Sequence, residues 1–342
     1  MVWDKKNVDP QGSLLRESIP SFDRIANAIH SGRCIPFLGA GASRAFKNWR
    51  NGQSEIPGSP SGAELKVILE AALRAKAKSN PDLSRVPLVD LPSVAEFYEF
   101  FDSGHRDDIE DNIKKVIAQT TFPRPIQWVL TAIPSIRSIF TTNYDELIEL
   151  AARNVIPRRN LIGYVYDQSK TVQKKPAGIA RDIVTNRKFE PPASIPPEGH
   201  PLLLYKMHGD VNHPDSMLIT TYDYVRHLAT WRDERAGVPK GFRDLLLTNS
   251  VLFLGYGLGD WNFRVIWEAM ISAFPGGQFP IQSFAIKNNA TAFERSLFNR
   301  RNIEVIDCDV TLFARALAEE FKYDIPNVPP PGGGGPGSGG GP

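Results

Sequence analysis

With 342 residues, 42% of them hydrophobic and 23% charged, the chain can bury a sizeable core and form one large domain or two ordinary ones. A net charge of +2 excludes the basic balance of a general nucleic-acid binder, and no apolar run approaches the roughly 20 residues that cross a bilayer. The two cysteines, Cys34 and Cys308, lie far apart in apolar strand-like runs and cannot build a zinc site by themselves. A reducing, cytoplasmic setting with both thiols buried is expected.

Residues 1–22 form a polar lead-in without a basic-then-apolar targeting signal. The spacing of Phe22, Ile25, Ala26 and Ile29 predicts a helix ending near Ser31-Gly32. RCIPFLGAGAS then predicts a short apolar strand that breaks into glycines. Residues 47–60 are rich in turn formers, and residues 62–121 are mostly helical in pattern, so 47–121 is expected to be a helical insertion. It interrupts a domain made of residues 23–46 and 122–325.

Strands are predicted at Ile136–Phe140, Leu202–Tyr205, Met217–Ile219, Val251–Leu254, Ile281–Ile286 and Ile303–Ile306. Helices are predicted at 145–153, 241–248, 261–273, 291–298 and 310–321. Several strand runs are apolar throughout, as in strands covered on both faces. Alternation of such strands with helices predicts an α/β fold, a doubly wound, mostly parallel Rossmann-like sheet. The Lys- and Pro-rich stretch 167–200 is expected to be a long loop of the kind that forms lids. From Pro326 onward the tail PNVPPPGGGGPGSGGGP cannot pack a core and is expected to be flexible.

Four breaks follow apolar strands. Gly39-Ala40-Gly41-Ala42-Ser43 could bring backbone N–H groups close to a phosphate, or could be a tight turn. It lacks the third glycine of the dinucleotide fingerprint, since Arg44 stands there. In IFTTNYDELIEL, Thr142, Asn143 and Asp145 cluster where a strand ends. Asn143 with Glu146 three residues on reads as a capping box, or as a polar group at the ligand-binding end of a sheet. In LLLYKMHGDVN, His208 directly follows a strand, where an imidazole is either a neutral-pH base or structural. In VLFLGYGLGDWNFR, Gly255 and Gly257 end a strand, and Asp260 is placed to cap a helix beginning at Trp261.

Taken together and in order, GAGAS, TTNYD, KMHGD and FLGYGLGD resemble the sirtuin-like NAD-binding family over roughly residues 23–322. The closer similarity is to its zinc-free branch of bacterial anti-phage defence NADases. The resemblance implies that Gly39, Ala40, Gly41 and Ser43 contact the phosphates and nearby ribose. Asn143 and Asp145, with Thr142 beside them, would face the nicotinamide side; His208 would be the catalytic histidine, and Gly255 and Gly257 would line the other ribose. Gly257 stands where the family more often has serine, which removes a side-chain contact to the ribose. The implied activity is an NAD hydrolase releasing nicotinamide and ADP-ribose, with NAD as substrate and no zinc. An activating partner protein or nucleotide signal and a homo-oligomer are also implied. The alternatives are a nucleotide sensor without turnover, or an NAD-dependent protein deacylase, for which the four zinc-binding cysteines are missing.

Nicotinamide leaves a pyridinium as a neutral molecule, so the chemistry needs no general acid. It needs a positioned water, a proton acceptor and stabilisation of an oxocarbenium-like transition state. Asn143 and His208 are the residue types for the first two tasks.

Overall fold

The continuous apolar runs become the strands of one sheet. A computed structural model of the chain describes residues 16–47, 55–76, 88–100, 105–155, 161–165, 179–182, 187–189, 201–232, 240–257 and 275–326. In chain order its strands are β1 (Cys34–Leu38), β2 (Phe46–Lys47), β3 (Glu55–Ile56), β4 (Ser138–Thr141), β5 (Leu161–Val165), β6 (Ile179–Asp182), β7 (Arg187–Phe189), β8 (Leu202–Lys206), β9 (Ser250–Leu254), β10 (Ser283–Ile286) and β11 (Ile303–Ile306). All but β2 and β3, which pair with each other, form one sheet in the order β11-β10-β9-β1-β4-β8-β5-β6-β7. The strands from β11 to β5 are parallel. β6 and β7 extend the β5 edge in antiparallel fashion.

Alternate residues of each central strand point to opposite sides, and both sides are apolar. Cys34, Leu38, Ile139, Leu204, Leu252 and Leu254 join a core with the helices Phe22–His30, Pro125–Ala132, Leu147–Asn154 and Val310–Glu320. Ile35, Phe37, Phe140, Leu203, Tyr205 and Phe253 join another with Leu245, Leu246 and Phe298 from the helices Lys240–Thr248 and Ala292–Asn299. Burial of a side chain of this size contributes about 1.5–3 kcal/mol, so apolar residues on both faces hold the sheet between helical layers. The fold is the doubly wound, mostly parallel α/β class that the sequence predicts.

A third apolar cluster belongs to the helices Gly62–Lys76, Leu91–Phe100 and Arg106–Ile117. It also takes in Tyr144, Val211, Met217 and Ile219, so these helices rest on the segments that leave β4 and β8. Arg106 fastens the contact. Its guanidinium donates to Asp223 at 2.9 Å, to Glu110 at 2.8 Å and to the Met217 carbonyl at 2.6 Å.

The structure departs from the sequence-based expectations at several points. Met217–Ile219 is buried but lies outside every strand: the chain turns through the short 3-10 segment Pro214–Ser216, and the Leu218 N–H donates to the His208 carbonyl at 2.8 Å. Its apolar side chains fill the helical cluster and the sheet face instead of a strand position. Leu161–Val165, unassigned from sequence, is β5, paired with β8 over its whole length. Within the stretch expected to be a long loop, 179–182 and 187–189 are strands, and the rest lies outside the described residues. Cys34 is buried, whereas Cys308 follows the end of β11 and is only partly covered. The expected helix 261–273, its cap at Asp260 and the tail beyond Pro326 lie outside the described residues.

Candidate functional site

Strand register brings the four breaks together. Leu38 pairs with Thr141 on one side and Leu254 on the other, and Thr141 pairs with Lys206. The next residues along the chain are Gly39, Thr142, Gly255 and Met207, so all four breaks leave the same edge of the sheet side by side. From β1 the sheet grows toward β4, whereas from β9 it grows toward β10 and β11. β1 and β9 therefore flank the topological switch point, where open α/β sheets bind ligands.

The two glycine loops touch across that crevice. The Gly41 N–H donates to the Gly255 carbonyl at 2.9 Å, and the Gly39 N–H to the Leu254 carbonyl at 2.9 Å. Gly255 has φ of +73°, and a Cβ there would lie 2.1 Å from the Ala42 nitrogen; at Gly41 it would lie 2.6 Å from the Gly255 carbonyl oxygen. Gly255→Ala is therefore expected to lower the melting temperature. The left-handed backbone alone costs about 1–2 kcal/mol, and a thermal melt matching the parent's would refute the close contact.

Asn143 does not cap the following helix. That helix begins at Leu147, and its free N–H is met by Asp145, whose Oδ1 accepts from Leu147 at 3.2 Å. The Asn143 amide nitrogen instead donates to the Gly39 carbonyl at 3.1 Å and to Ser43 Oγ at 3.0 Å. A carbonyl oxygen can only accept, so the NH2 end must face Gly39 and the amide oxygen is turned away from it. Both amide protons are thus used to tie the β4 exit to the β1 exit. Ser43 Oγ also accepts from Gln127 Nε2 at 3.0 Å and is hydrogen-bonded to the Asp145 carboxyl. Asp145 is 5% exposed; burial raises its pKa against the opposing pull of Lys206 and Ser43.

His208 is 7% exposed, and its Nε2 is buried without a hydrogen-bond partner. Tyr224 meets the ring edge-on at 5.3 Å between centroids. Burial, helped by the neighbouring His227, lowers the His208 pKa to about 3, so the imidazole is neutral across the physiological range. A buried ring nitrogen left without a partner is costly, and this ring belongs to a residue that lines the cavity described next.

A cavity of about 650 Å³ is lined by Ala40, Gly41, Ser43, Thr142, Asn143, Asp145, His208, Gly255 and Gly257. A second, of about 480 Å³, adjoins it and shares Gly41, Arg44, Gly255, Tyr256 and Gly257. It continues past Lys287, Asn288 and Asp309 at the ends of β10 and β11. Of the sequence candidates, Gly39 alone is absent from both walls; its carbonyl holds Asn143. The outer wall of the larger cavity comes from the helical insertion, through Leu65, Lys66, Asp90, Leu91 and Ile117.

Three residues of the site's framework escaped the sequence reading. Gln127 Oε1 accepts from the Arg124 backbone N–H at 2.7 Å and its Nε2 supports Ser43, but in sequence it reads only as a helix start. Tyr224 lines the larger cavity from a helix whose burial no local pattern announces. Lys206 is fully buried at the end of β8, beneath Asn143 and His208. A charged residue closing the apolar run LLLY was the available signal.

Fold and crevice together define a doubly wound α/β protein with a crevice at the switch point. Residues 137–306, which hold TTNYD, KMHGD and FLGYGLGD, match the model of the family described as the SIR2-like domain. Among curated proteins, an NAD(+) hydrolase ThsA from Acinetobacter baumannii is 26% identical over 249 residues, covering 71% of this chain and 40% of that protein. An NAD(+) hydrolase ThsA from Enterococcus faecium is 25% identical over 245 residues, covering 71% and 41%. The chain spans about two fifths of the length of these relatives. Among solved structures, a Sir2 homologue mutant in complex with ADP ribose aligns over 92% of this chain and 97% of its own, at 14% identity and a TM-score of 0.32. Among the described residues, no group of three or more His, Cys, Asp or Glu could hold a metal ion. Among the same residues, no helix is long and apolar enough to cross a membrane.

Proposed function

We propose that the chain is an NAD hydrolase that cleaves the nicotinamide–ribose bond and releases nicotinamide and ADP-ribose. The observation that carries this reading is the pair of adjoining cavities, joined at the Gly41–Gly255 contact, with Asn143 and His208 on one of them alone. A dinucleotide has two nucleoside halves linked by phosphates, and this crevice offers two chambers linked by bare backbone. The larger chamber takes nicotinamide riboside and the smaller takes adenosine. The pyrophosphate crosses the glycine contact beside Arg44, a residue that lines both chambers and whose guanidinium is paired with Glu64 at 3.0 Å. Gly41 and Ala42 already spend their N–H groups on Gly255 and Gly39, at 2.9 and 3.0 Å. The loop therefore serves the phosphates mainly by close approach and through its remaining N–H groups.

In this reading nicotinamide leaves with the bonding electron pair and becomes neutral. A water oxygen forms the new bond at the ribose carbon, and its proton passes to the neutral imidazole of His208, directly or through a ribose hydroxyl. The Asn143 oxygen orients the water or the hydroxyl, because its NH2 is fixed by Gly39 and Ser43. Asp145 lies within the same wall and offers negative charge to the developing cation. The names of the relatives support the substrate, and the motif resemblance supports a role as a NAD-depleting effector of bacterial defence. A cytoplasmic homo-oligomer gated by a partner or nucleotide signal belongs to the same reading.

Chromatographic measurement of nicotinamide released from NAD tests it, with Asn143→Ala run beside the parent. Release by the parent and loss in the variant, with ADP-ribose binding retained in calorimetry, is the expected result. Tight ADP-ribose binding with no turnover under any activating condition would make the site a nucleotide sensor instead.

A further inference from the structure

The Lys206 side chain has no exposure to solvent. Its ammonium donates to the Tyr144 carbonyl at 3.3 Å, the Asp145 carbonyl at 2.6 Å and Glu149 Oε1 at 2.9 Å, and it pairs with the Asp210 carboxylate. These partners belong to two different turns. Tyr144 and Asp145 directly follow Asn143, and Glu149 is on the helix that this turn begins. Asp210 stands two residues after His208; its Oδ1 accepts from the Asn212 N–H at 2.7 Å, and its own N–H donates to Ser216 Oγ at 2.9 Å.

From this juxtaposition, one ammonium bonded to the backbone beyond Asn143 and to the carboxylate beyond His208, we infer that Lys206 is a positioning residue that sets the spacing between these two groups. The inference rests on the hydrolase reading for its kinetic consequence. A buried lysine is expensive to keep charged, and an apolar residue of similar length would close the strand as well. What an apolar residue lacks is several donors that can hold two loops to one point. A second link runs parallel to it: the Val211 N–H donates to the Tyr144 carbonyl at 3.1 Å. Backbone pairing therefore holds the turns together without the lysine, and the lysine governs how they are aimed.

The test uses the full chain with Lys206, Glu149 and Asp210 replaced together (K206M, E149Q, D210N), which removes the lysine along with both carboxylates it pairs with. Nicotinamide release and ADP-ribose affinity are measured beside the NMR signal of the His208 ring in histidine-labelled protein. The expected result is a fall in kcat of about 100-fold, the scale of an ångström misplacement, with KM and ADP-ribose affinity within about threefold. The His208 signal in the ADP-ribose complex is expected to differ from the parent's. Parent-like kcat and a parent-like His208 signal would overturn the inference. Should the triple variant fail to fold, Asp210→Ala alone removes the acceptor on the His208 turn while Lys206 keeps its other three bonds. It is expected to lower kcat and move the His208 signal, and failure to do either would also overturn the inference. A parent that binds ADP-ribose but releases no nicotinamide defeats the hydrolase reading; the His208 signal then judges the lysine alone.

Discussion

Nicotinamide release by His208→Ala is expected to fall by about 10²–10⁴-fold, the usual contribution of a positioned general base. His208 lines the larger chamber, its Nε2 is buried without a hydrogen-bond partner, and alanine removes the proposed proton acceptor. Folding should survive, because the His208 carbonyl still accepts from Leu218 at 2.8 Å. The parent's rate should show no limb near pH 6.5, since burial lowers the His208 pKa to about 3. The same depression makes the fold acid-sensitive. A base whose folded pKa lies below its unfolded value of 6.5 contributes stability above that pH, lost as pH falls from 6.5 toward 3. Full activity in His208→Ala, with fold intact, would remove the imidazole from the mechanism.

Lys206→Met alone should cost about 3–5 kcal/mol of stability in urea denaturation at pH 8, the range for a buried ion pair that loses one partner. The methionine fits the space, but Glu149 and Asp210 are left at 1% and 3% side-chain exposure with no cation between them. Glu149→Gln should cost far less at the same pH. It keeps an acceptor for Lys206 and leaves the lysine matched one-to-one with Asp210. The pH dependence separates these effects further. Burial raises the Glu149 pKa from its ordinary 4.5 to about 7 despite the pull of Lys206. A carboxyl raised in the folded state contributes stability fully below pH 4.5, and that contribution is lost as pH rises through about 7. Glu149→Gln should therefore flatten the decline in stability across this window. A decline as steep as the parent's would mean that another group titrates there.

The helical insertion bears on what the site admits. Its helices wall the larger chamber and share an apolar cluster with Tyr144, Val211, Met217 and Ile219, residues just beyond Asn143 and His208. Arg106 ties this layer to Asp223 at the start of the helix that carries Tyr224 and His227. The helices of residues 62–117 are thus bonded and packed to the wall behind His208.

Most of the sheet was legible because each central strand is covered on both faces and so reads as an unbroken apolar run. The runs at 202–205, 251–254 and 303–306 fall within or on β8, β9 and β11 for this reason. The candidate residues Asn143 and His208 were legible because polar or glycine breaks at strand exits are conspicuous against such runs. Met217–Ile219 misled the same logic: its apolar residues serve a helical cluster formed by residues 65–117, a contact without local signature. β6 and β7 are defined by backbone pairing to β5, and composition pointed to a loop there. The role of Asn143 was undecidable from IFTTNYDELIEL, since a capping asparagine and a loop-tying one have the same neighbours. Its partners, Gly39 and Ser43, lie about a hundred residues away in the chain. Lys206 shows the same limit more sharply. The residue types and their order follow from the chain alone, whereas four acceptors from two turns meet one ammonium only when strand register sets β4 beside β8.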